Sequence, residues 1–341
     1  MPGSLPVGLS RGSIAGETEK LRIMRVEYLQ GTLPQLGPAV LTIGFFDGVH
    51  RGHRRLISRT VELASERSAQ AVVVTFWPSP VSIIRPTVPV QLLSTLEEKL
   101  SILEGLGQLD AVLVLPFSRE MSRLSPDAFL DLITSYHPLA LVEGTDFAVG
   151  HHRLGDVAYL RALGEQRGFT VETYEVQVDG ERVSSTRIRN LVQAGVLTTA
   201  ADLLGREYTL LGEVVTGEQR GRLLGFPTAN LRCDARKTLP GSGVYAVRVR
   251  LPGEPKATHP GVCNIGVRST FAGEGHLMVE VHLLDGNMDL YGLHIETEFV
   301  ARLREERRFN GVDELRAQIA IDVEHARDLL SASVPGNSNK A

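Results

Sequence analysis

Two histidines three residues apart form the first group of side chains whose types and spacing could do chemistry. His50 and His53 follow a predicted strand at the start of a predicted helix, so they share one face of its first turn. Free N–H groups at a helix N-terminus attract phosphate, and two imidazoles there could donate hydrogen bonds to its oxygens. The spacing therefore predicts phosphate chemistry. The alternative is a solvent-facing or helix-capping pair; zinc is disfavoured because no further ligands lie nearby.

A glycine-rich stretch in the second half of the chain forms the next group. Residues 221–231 read GRLLGFPTANL, in which the glycines permit a loop that wraps phosphates. Thr228 and Asn230 are two residues apart, so on an extended chain they face the same side. A hydroxyl and an amide oxygen are hard ligands suited to Mg²⁺ bound to ATP. An ordinary β-turn with a capping asparagine is the alternative.

Two further segments could complete such chemistry. Residues 184–189 read SSTRIR, whose hydroxyls, helix-start N–H groups and Arg189 can bind phosphate oxygens. Glu280 lies on a strand-like segment and is a carboxylate that could accept a proton. The alternatives are a plain helix cap with solvated arginines and a surface carboxylate on a strand.

The elements that must position these groups follow two patterns. In the first half, β-rich runs alternate with helical runs, which predicts a parallel sheet with helices on both faces. Ser94 and Glu97 are predicted to form the capping box of one of these helices, and Ser125 caps another that begins at Pro126. The predicted strands are 39–46, 71–76, 111–115, 139–142 and 169–176, and the predicted helices include 50–67, 94–107 and 157–167.

The second half reads as mostly antiparallel. After helices at 187–194 and 200–204, strand-like runs at 208–215, 244–250 and 278–284 alternate with Gly/Pro turns, which predicts a β-barrel or sandwich. An amphipathic helix at 312–330 closes this half, with Leu315, Ile319, Val323 and Ala326 on one face. The predicted organisation is a disordered leader at 1–23, domains at 24–197 and 198–332, and a flexible tail at 333–341.

The composition narrows the possible classes of function. The 341 residues suit two domains, and 43% hydrophobic with 22% charged residues is ordinary for globular proteins. A net charge of −4 gives no basic field for nucleic acid or an anionic membrane. No apolar run approaches the ~18–20 residues of a membrane span, and residues 1–23 lack a signal peptide's apolar stretch, so a cytoplasmic location is predicted. Cys233 and Cys263 are expected to be reduced thiols.

The first-half motifs resemble a known family. FDGVHRGH at 46–53 resembles the HxGH signature of nucleotidyltransferases, and in particular the FMN adenylyltransferase module of bacterial bifunctional FAD synthetases; SSTRIR resembles that superfamily's SSTxxR motif. TFWPSP at 75–80 and EGTDFAVG at 143–150 resemble its TFxPxP and GxDFxFG segments, with departures at Phe45, Ser79, Ala148 and Val149. The resemblance implies catalytic roles for His50, His53 and Arg189, flavin contacts from Phe76, Pro78 and Pro80, and nucleotide contacts from Gly44, Phe46, Asp47, Gly48, Gly52, Gly144, Asp146, Ser184, Ser185 and Thr186.

The second-half motifs resemble riboflavin kinases. GFPTAN at 225–230 is similar to their nucleotide and magnesium motif, and EVHLLD at 280–285 followed by DLYG is similar to their ExHLxDxxxxLYG segment. The resemblance implies that Glu280 is the base on the ribityl 5′-hydroxyl, whereas His282 is expected to be structural. It implies Thr228 and Asn230 as metal ligands, flavin contacts from Arg304 and Phe309, and nucleotide contacts from Gly221, Gly225, Phe226, Pro227 and Thr228.

Together the resemblances imply an enzyme that phosphorylates riboflavin to FMN and then transfers AMP from ATP to FMN, giving FAD and pyrophosphate. Mg²⁺ is expected with ATP in both steps, and ATP, riboflavin and FMN are the expected partners, without nucleic acid or membrane. Two alternatives remain open. The departures in the first half motivate a riboflavin kinase with a weak or inactive adenylyltransferase domain. A non-catalytic flavin- or nucleotide-binding regulator is the other, although such a binder has no need of Glu280.

Overall fold

The structure is a computed structural model. It describes residues 24–29, 37–133, 136–175, 177–178, 181–217, 221, 224–254, 257–268, 276–286 and 288–332. The predicted leader at 1–23 and the predicted tail at 333–341 lie outside the described residues. Among the helices that are described, none is long and apolar enough to cross a membrane.

Six parallel strands form the sheet of the first half, in the order β1-β4-β3-β2-β5-β8. These strands are β1 (Arg25–Tyr28), β2 (Ala39–Ile43), β3 (Gln70–Trp77), β4 (Ala111–Pro116), β5 (Pro138–Gly144) and β8 (Thr170–Tyr174). Short antiparallel pairs are formed by β6 (Ala148–Val149) with β7 (Gly155–Asp156) and by β9 (Gln177–Val178) with β10 (Glu181–Arg182). The helices are α1 (Arg51–Glu66), α2 (Pro80–Ile84), α3 (Leu96–Glu104), α4 (Pro126–Asp131) and α5 (Val157–Arg167).

Helices cover both faces of this sheet, as predicted. The central strand β2 is buried along its whole length, and successive side chains point to opposite faces. Val40 packs in one cluster with Ile57 of α1, whereas Leu41 packs in the other with Phe129 of α4 and Leu160 of α5. Near-continuous apolar strands are therefore stable here because neither face meets water.

The predicted capping box is wrong by one residue. Thr95 caps α3 and accepts a hydrogen bond from the Glu98 N–H (3.2 Å), while the Glu98 carboxylate accepts from the Thr95 N–H (2.8 Å). The Ser94 hydroxyl instead accepts from the Gly48 N–H at 2.9 Å. Ser94 does not cap the helix as its local sequence predicts, because its hydroxyl makes a tertiary contact with the histidine turn instead. At Ser125 the predicted cap and the proline behind it are confirmed.

A closed antiparallel barrel forms the second half, in the order β11-β12-β15-β14-β13-β16. The strands are β11 (Tyr208–Val215), β12 (Ala229–Cys233), β13 (Gly243–Arg250), β14 (His259–Arg268), β15 (His276–Leu283) and β16 (His294–Arg304). Helices α6 (Ser185–Gln193) and α7 (Leu197–Leu204) precede it, and α8 (Val312–Ala332) follows it. The sequence predicts a β-barrel or a sandwich, and the structure shows the barrel.

Strand alternation gives the barrel two apolar sides. Tyr245 and Cys263 belong to a core cluster that also holds Ile188 of α6 and Leu203 of α7. Their neighbours along the strands, such as Val244, lie outside and pack against α8. Both cysteines are free thiols, as expected. The predicted domain boundary at 197/198 falls at the start of α7, whose apolar side chains share the barrel core, and it stays a prediction.

Fragments of the second half should reveal where that boundary lies. A fragment of residues 184–332 is expected to melt more than about 5 °C above a fragment of residues 206–332, because α6 and α7 bury several large apolar side chains on the barrel. Thermal unfolding followed by circular dichroism measures the difference. Equal melting temperatures would place the boundary after Leu204 and remove both helices from the barrel domain.

Candidate functional site

The turn between β2 and α1 holds the histidine pair in a conformation that needs glycine. Gly48 has a φ of +76°, and a Cβ there would lie 2.9 Å from two side-chain atoms of Leu93. Its neighbours Phe46 and Val49 also have positive φ, at 51° and 40°. Gly44 lies against the Phe46 ring, because a Cβ would lie 3.0 Å from it. The turn is therefore both sharp and closely packed against the segment that precedes α3.

His50 and His53 stack on each other at the start of α1. Their ring centroids are 3.5 Å apart, and the edge of Phe46 approaches His53 at 5.1 Å. His50 caps the helix, since its Nδ1 accepts from the His53 N–H at 3.4 Å. A neutral His50 thus carries its proton on Nε2, which can donate to a phosphate oxygen. Burial lowers the pKa of His50 to about 4 and the pKa of His53 well below its usual value.

The SSTRIR segment meets this turn from 138 residues away. Ser185 Oγ donates to the Asp47 carbonyl at 3.1 Å, and Arg189 Nε lies 3.7 Å from Asp47 Oδ2. Ser184 caps α6 by accepting from the Arg187 N–H at 3.3 Å, so the free N–H groups of α6 face the same region. Burial raises the pKa of Asp47, although the N–H groups that it accepts from oppose this shift. The structure therefore brings the two predicted phosphate motifs together.

Three basic residues near the turn were missed by sequence reasoning. Lys99 is fully buried and donates to the Phe45 carbonyl at 2.5 Å, and burial lowers its pKa to about 7. Arg54 Nε and the Nε and Nη1 of Arg206 are buried without a hydrogen-bond partner among the described residues. Lys99 had one available signal, because it falls on the apolar stripe of α3, three residues after Leu96. Together they add positive charge beside the histidines.

The remaining first-half residues cluster at the carboxyl ends of the strands. In the sheet order, β3 and β4 lie on one side of β2 and β5 and β8 on the other, so the histidine turn lies at a topological switch point, where α/β sheets bind ligands. Gly144 ends β5, and Asp146 is exposed in the turn after it. Gly52 is buried in the first turn of α1. Phe76 is the second-to-last residue of β3, Pro78 directly follows that strand, and Pro80 begins α2.

The four departures from the family pattern have separate places. Phe45 lies under the Lys99 ammonium, 4.0 Å from its ring centroid. Ser79 is the residue before α2 and is 5% exposed, so its small side chain is nearly enclosed. Ala148 and Val149 form β6, which pairs with β7. None of the four is among the histidine, serine or arginine residues of the two phosphate motifs.

A cavity of about 430 Å³ lies between the outer face of the barrel and α8. Its wall includes the predicted residues Gly221, Phe226, Thr228, Asn230, Glu280, Arg304 and Phe309. One row across five strands builds its floor, since Asn230 pairs with Glu280, Glu280 with Asn264, Asn264 with Val244, and Val244 with Arg304. Directly opposed residues place their side chains on the same face, so three polar groups meet side by side.

The donor set at one end of this row fits a hard cation. Asn230 is 8% exposed, and its Oδ1 is buried with no hydrogen-bond partner among the described residues. Thr228 lines the same cavity. An orphaned amide oxygen beside a hydroxyl is the chemistry that Mg²⁺ accepts. Within the described part of the chain, no cluster of three or more His, Cys, Asp or Glu residues offers another metal site.

The loop that carries GFPTAN is closed on itself. The Phe226 N–H donates to the Gly221 carbonyl at 2.9 Å, and Gly225 has a φ of +86°. His282 Nδ1 lies 2.8 Å from the Pro227 carbonyl, which requires the proton on that nitrogen. The expected structural role of His282 is thus matched by a contact that ties the loop to β15. Gly225 is exposed and lines neither cavity, as far as the described residues define them.

A second cavity of about 310 Å³ shares Thr228 with the first. Pro227 also lines it, together with Asp289, Leu290 and Tyr291 of the DLYG segment. Thr228 of the GFPTAN motif is therefore a lining residue of both cavities.

Arg304 has a partner that the sequence did not suggest. Its guanidinium donates to both carboxylate oxygens of Asp322 on α8, at 2.8 to 3.0 Å, and Asp322 is 4% exposed. Phe309 lies between two arginines, with Arg304 at 5.6 Å and Arg307 at 4.8 Å from its ring. The bidentate pair fastens α8 to the barrel beside the cavity. Asp285 is exposed, ion-paired with Arg327 at 2.8 Å, and outside both cavities.

Comparison with known proteins gives one family. The FAD synthetase family model matches residues 33–187 and the riboflavin kinase model matches residues 204–330. Proteins described as bifunctional riboflavin kinase/FMN adenylyltransferase are similar along most of the chain. The Pseudomonas fluorescens protein is 40% identical over 312 residues (90% of this chain, 98% of that protein), and the Escherichia coli K12 protein is 39% identical over 318 residues (92% and 100%). The Bacillus subtilis protein is 36% identical over 293 residues (84% and 91%).

A solved structure shares the overall architecture. A Streptococcus pneumoniae protein described as a macrolide-efflux protein matches with a TM-score of 0.81 and 27% sequence identity. The match covers 89% of this chain and 99% of that one, so it extends across both halves. With both family models in order along one sequence and relatives matched over nearly their full length, the chain belongs to the family of bifunctional riboflavin kinases/FMN adenylyltransferases.

Proposed function

We propose that the chain converts riboflavin to FMN and FMN to FAD, using ATP in both steps. One observation carries the proposal: the fold assembles two separate phosphate-handling groups, one at the histidine turn and one in the cavity under α8. Family membership supplies the substrates ATP, riboflavin and FMN. We place the enzyme in the cytoplasm, acting on small molecules without nucleic acid or membrane partners, in line with its net charge of −4.

In the kinase step, Glu280 accepts the proton of the ribityl 5′-hydroxyl as that oxygen bonds to the γ-phosphorus of ATP, and the bond from that phosphorus to the bridging oxygen breaks to release ADP. The flavin lies in the larger cavity, against Phe309 and the apolar side chains that α8 contributes, while ATP extends into the second cavity past Thr228. Thr228 and Asn230 would hold Mg²⁺, which would neutralise charge on the phosphates. The wall that α8 contributes shields one side of the cavity from water that would otherwise compete as the acceptor.

In the adenylyl step, His50 and His53 donate hydrogen bonds to oxygens of the ATP phosphates, and Arg189 neutralises the leaving pyrophosphate. Neutral histidines suit this role, because their low pKa values leave a defined N–H donor at pH 7. Ser184, Ser185 and Thr186, with the free N–H groups of α6, hold the triphosphate. Their position against the histidine turn favours an active adenylyltransferase over the kinase-only alternative.

The residues around the two organic ligands follow the same assignment. Gly44, Phe46, Asp47, Gly48 and Gly52 shape the nucleotide side of the histidine turn, and Gly144 and Asp146 bound it beyond β5. Phe76, Pro78 and Pro80 contact the flavin of FMN at the end of β3. In the barrel, Gly221, Gly225, Phe226 and Pro227 form the nucleotide loop, and Arg304 acts on the flavin by holding α8 and Phe309 in place.

Purified full-length protein given riboflavin, ATP and Mg²⁺ should make FMN first and FAD afterwards. Separation of the flavins by chromatography over a time course measures both products. Accumulation of FMN without FAD at high ATP would establish a kinase alone, and the absence of both would establish a binding protein.

His53→Ala should lower the turnover of FMN to FAD by about 10²–10³, because one hydrogen bond to the developing charge is lost. FMN formation from riboflavin should stay near the wild-type rate, since His53 lies in the other half of the chain. His137→Asn is a suitable control, because His137 is exposed and asparagine tolerates its φ of 42°. Equal loss of both reactions would assign His53 a folding role.

Glu280→Gln should lower the kinase kcat by about 10²–10⁴, because the amide keeps the size of the side chain but cannot accept the proton. Binding of riboflavin and ATP should change little, and FMN supplied directly should still become FAD. Asp285→Asn is the matched control, since Asp285 is paired with Arg327 outside both cavities. A normal kcat for Glu280→Gln with a collapsed kcat for Asp285→Asn would exchange the two assignments.

A further inference from the structure

A short segment, residues 92–94, lies between the barrel and the histidine turn, and we call it the bridging segment. On the barrel side, the Leu92 N–H donates to the Arg236 carbonyl at 2.7 Å, and the Leu92 carbonyl accepts from the Thr238 N–H at 2.8 Å. Leu92 and Lys237 thereby form a single parallel β-bridge. Residues 236–238 of the barrel half thus pair with a segment of the other half.

The opposite edge of the bridging segment holds the histidine turn. The N–H groups of Leu93 and Ser94 donate to Asp47 Oδ1 at 2.9 and 3.1 Å, and the Gly48 N–H donates to Ser94 Oγ at 2.9 Å. Asp47 and Gly48 directly precede the histidine pair in sequence, and Asp47 Oδ2 faces Arg189 at 3.7 Å. A shift of the bridging segment would therefore move the groups proposed to act on phosphate.

A buried ion pair fixes this arrangement from the barrel side. Lys237 Nζ donates to Glu98 Oε2 and to the Leu93 carbonyl, both at 2.6 Å, and lies 4.7 Å from the Tyr208 ring. The two charged side chains are only 2% and 3% exposed. Glu98 Oε1 accepts from the Leu211 N–H at 2.9 Å, so both charges are well satisfied. Removing one partner of such a pair strongly destabilises the protein, because the other charge stays buried alone.

Consecutive residues of α3 serve the two sides. Glu98 meets the barrel through Lys237, whereas Lys99 donates to the carbonyl of Phe45 at the base of the histidine turn, at 2.5 Å. The first turn of α3 is therefore held between the barrel and the turn by charged groups on both sides. Neither Glu98 nor Lys237 lines the cavities of the barrel, as the described residues define them.

We propose that Lys237, a residue of the kinase barrel, is a positioning residue for AMP transfer in the other half of the chain. It holds the Leu93 carbonyl and Glu98, which fixes the bridging segment and through it Asp47, the histidine turn and Arg189. The adenylyltransferase site is thus complete only when the barrel is docked. This inference rests on the proposed two-step function, and it adds a barrel residue to the AMP-transfer reaction.

Lys237→Met in the full-length protein tests the inference. The kcat for FMN to FAD should fall at least about tenfold, since misplacement by about 1 Å can cost 10²-fold. The KM for ATP in that step should change little, and FMN formation should stay within about twofold of wild type, because the kinase cavity does not include Lys237. Arg232→Met is the control, a loss of an exposed ion pair elsewhere on the barrel, and should change neither rate.

A purely structural role for Lys237 would give a different pattern. Loss of folded protein would lower both reactions in the same proportion, or lower FMN formation more, since Lys237 belongs to the barrel; either result overturns the inference, as does an unchanged FAD rate. If Lys237→Met melts well below wild type, the double variant Lys237→Met with Glu98→Gln removes the unpaired buried charge of Glu98, keeps an amide oxygen as an acceptor for a backbone N–H, and is measured in its place with the same expectation. A wild-type protein that makes no FAD would contradict the proposed function instead.

Discussion

The buried carboxylate of Asp47 is the interaction on which the first half of the molecule depends. A carboxylate that is 5% exposed is stable only if its oxygens are hydrogen-bonded, and here the partners come from separate parts of the chain. One oxygen accepts from the backbone of the bridging segment, and the other faces Arg189. Its own carbonyl accepts from Ser185. The contacts of this one residue thus connect the histidine turn, the serine-rich start of α6 and the segment before α3 in a single site.

The second half depends on a geometric constraint, the alternation of side chains along closed antiparallel strands. Apolar residues such as Tyr245 and Val279 fill the interior, so polar residues of the same strands must lie outside. Asn230, Glu280 and Asn264 lie in one cross-strand row on that outer face. They would meet bulk water if α8 did not cover the barrel beside them. The Arg304–Asp322 pair holds that cover in place, which explains why a partly covered cavity exists on the outside of a filled barrel.

The sequence predicts the regular elements well, because apolar periodicity and turn residues act locally. It also leads to the prediction that four motifs carry phosphate chemistry; those roles stay predictions, and the structure places HxGH against SSTRIR and GFPTAN beside Glu280. The misses have a common physical cause. Ser94 loses the helix cap to Thr95 because its hydroxyl accepts from the distant Gly48 N–H, and Lys99 and Lys237 are buried because backbone carbonyls from other segments accept hydrogen bonds from their ammonium groups. Local sequence contains no sign of such partners, although the place of Lys99 on the apolar stripe of α3 signals its burial.

The position of α8 also has a consequence for biosynthesis. Leu315, Ile319 and Asp322 supply one wall of the larger cavity, yet α8 follows all six barrel strands along the chain. Translation runs from the N-terminus, and each part of a nascent chain can fold only once it has left the ribosome. The barrel can close while α8 is still being made, whereas its cavity stays open to solvent until that helix docks. The strands and helices of the first half all precede the barrel along the chain, so they leave the ribosome before it does.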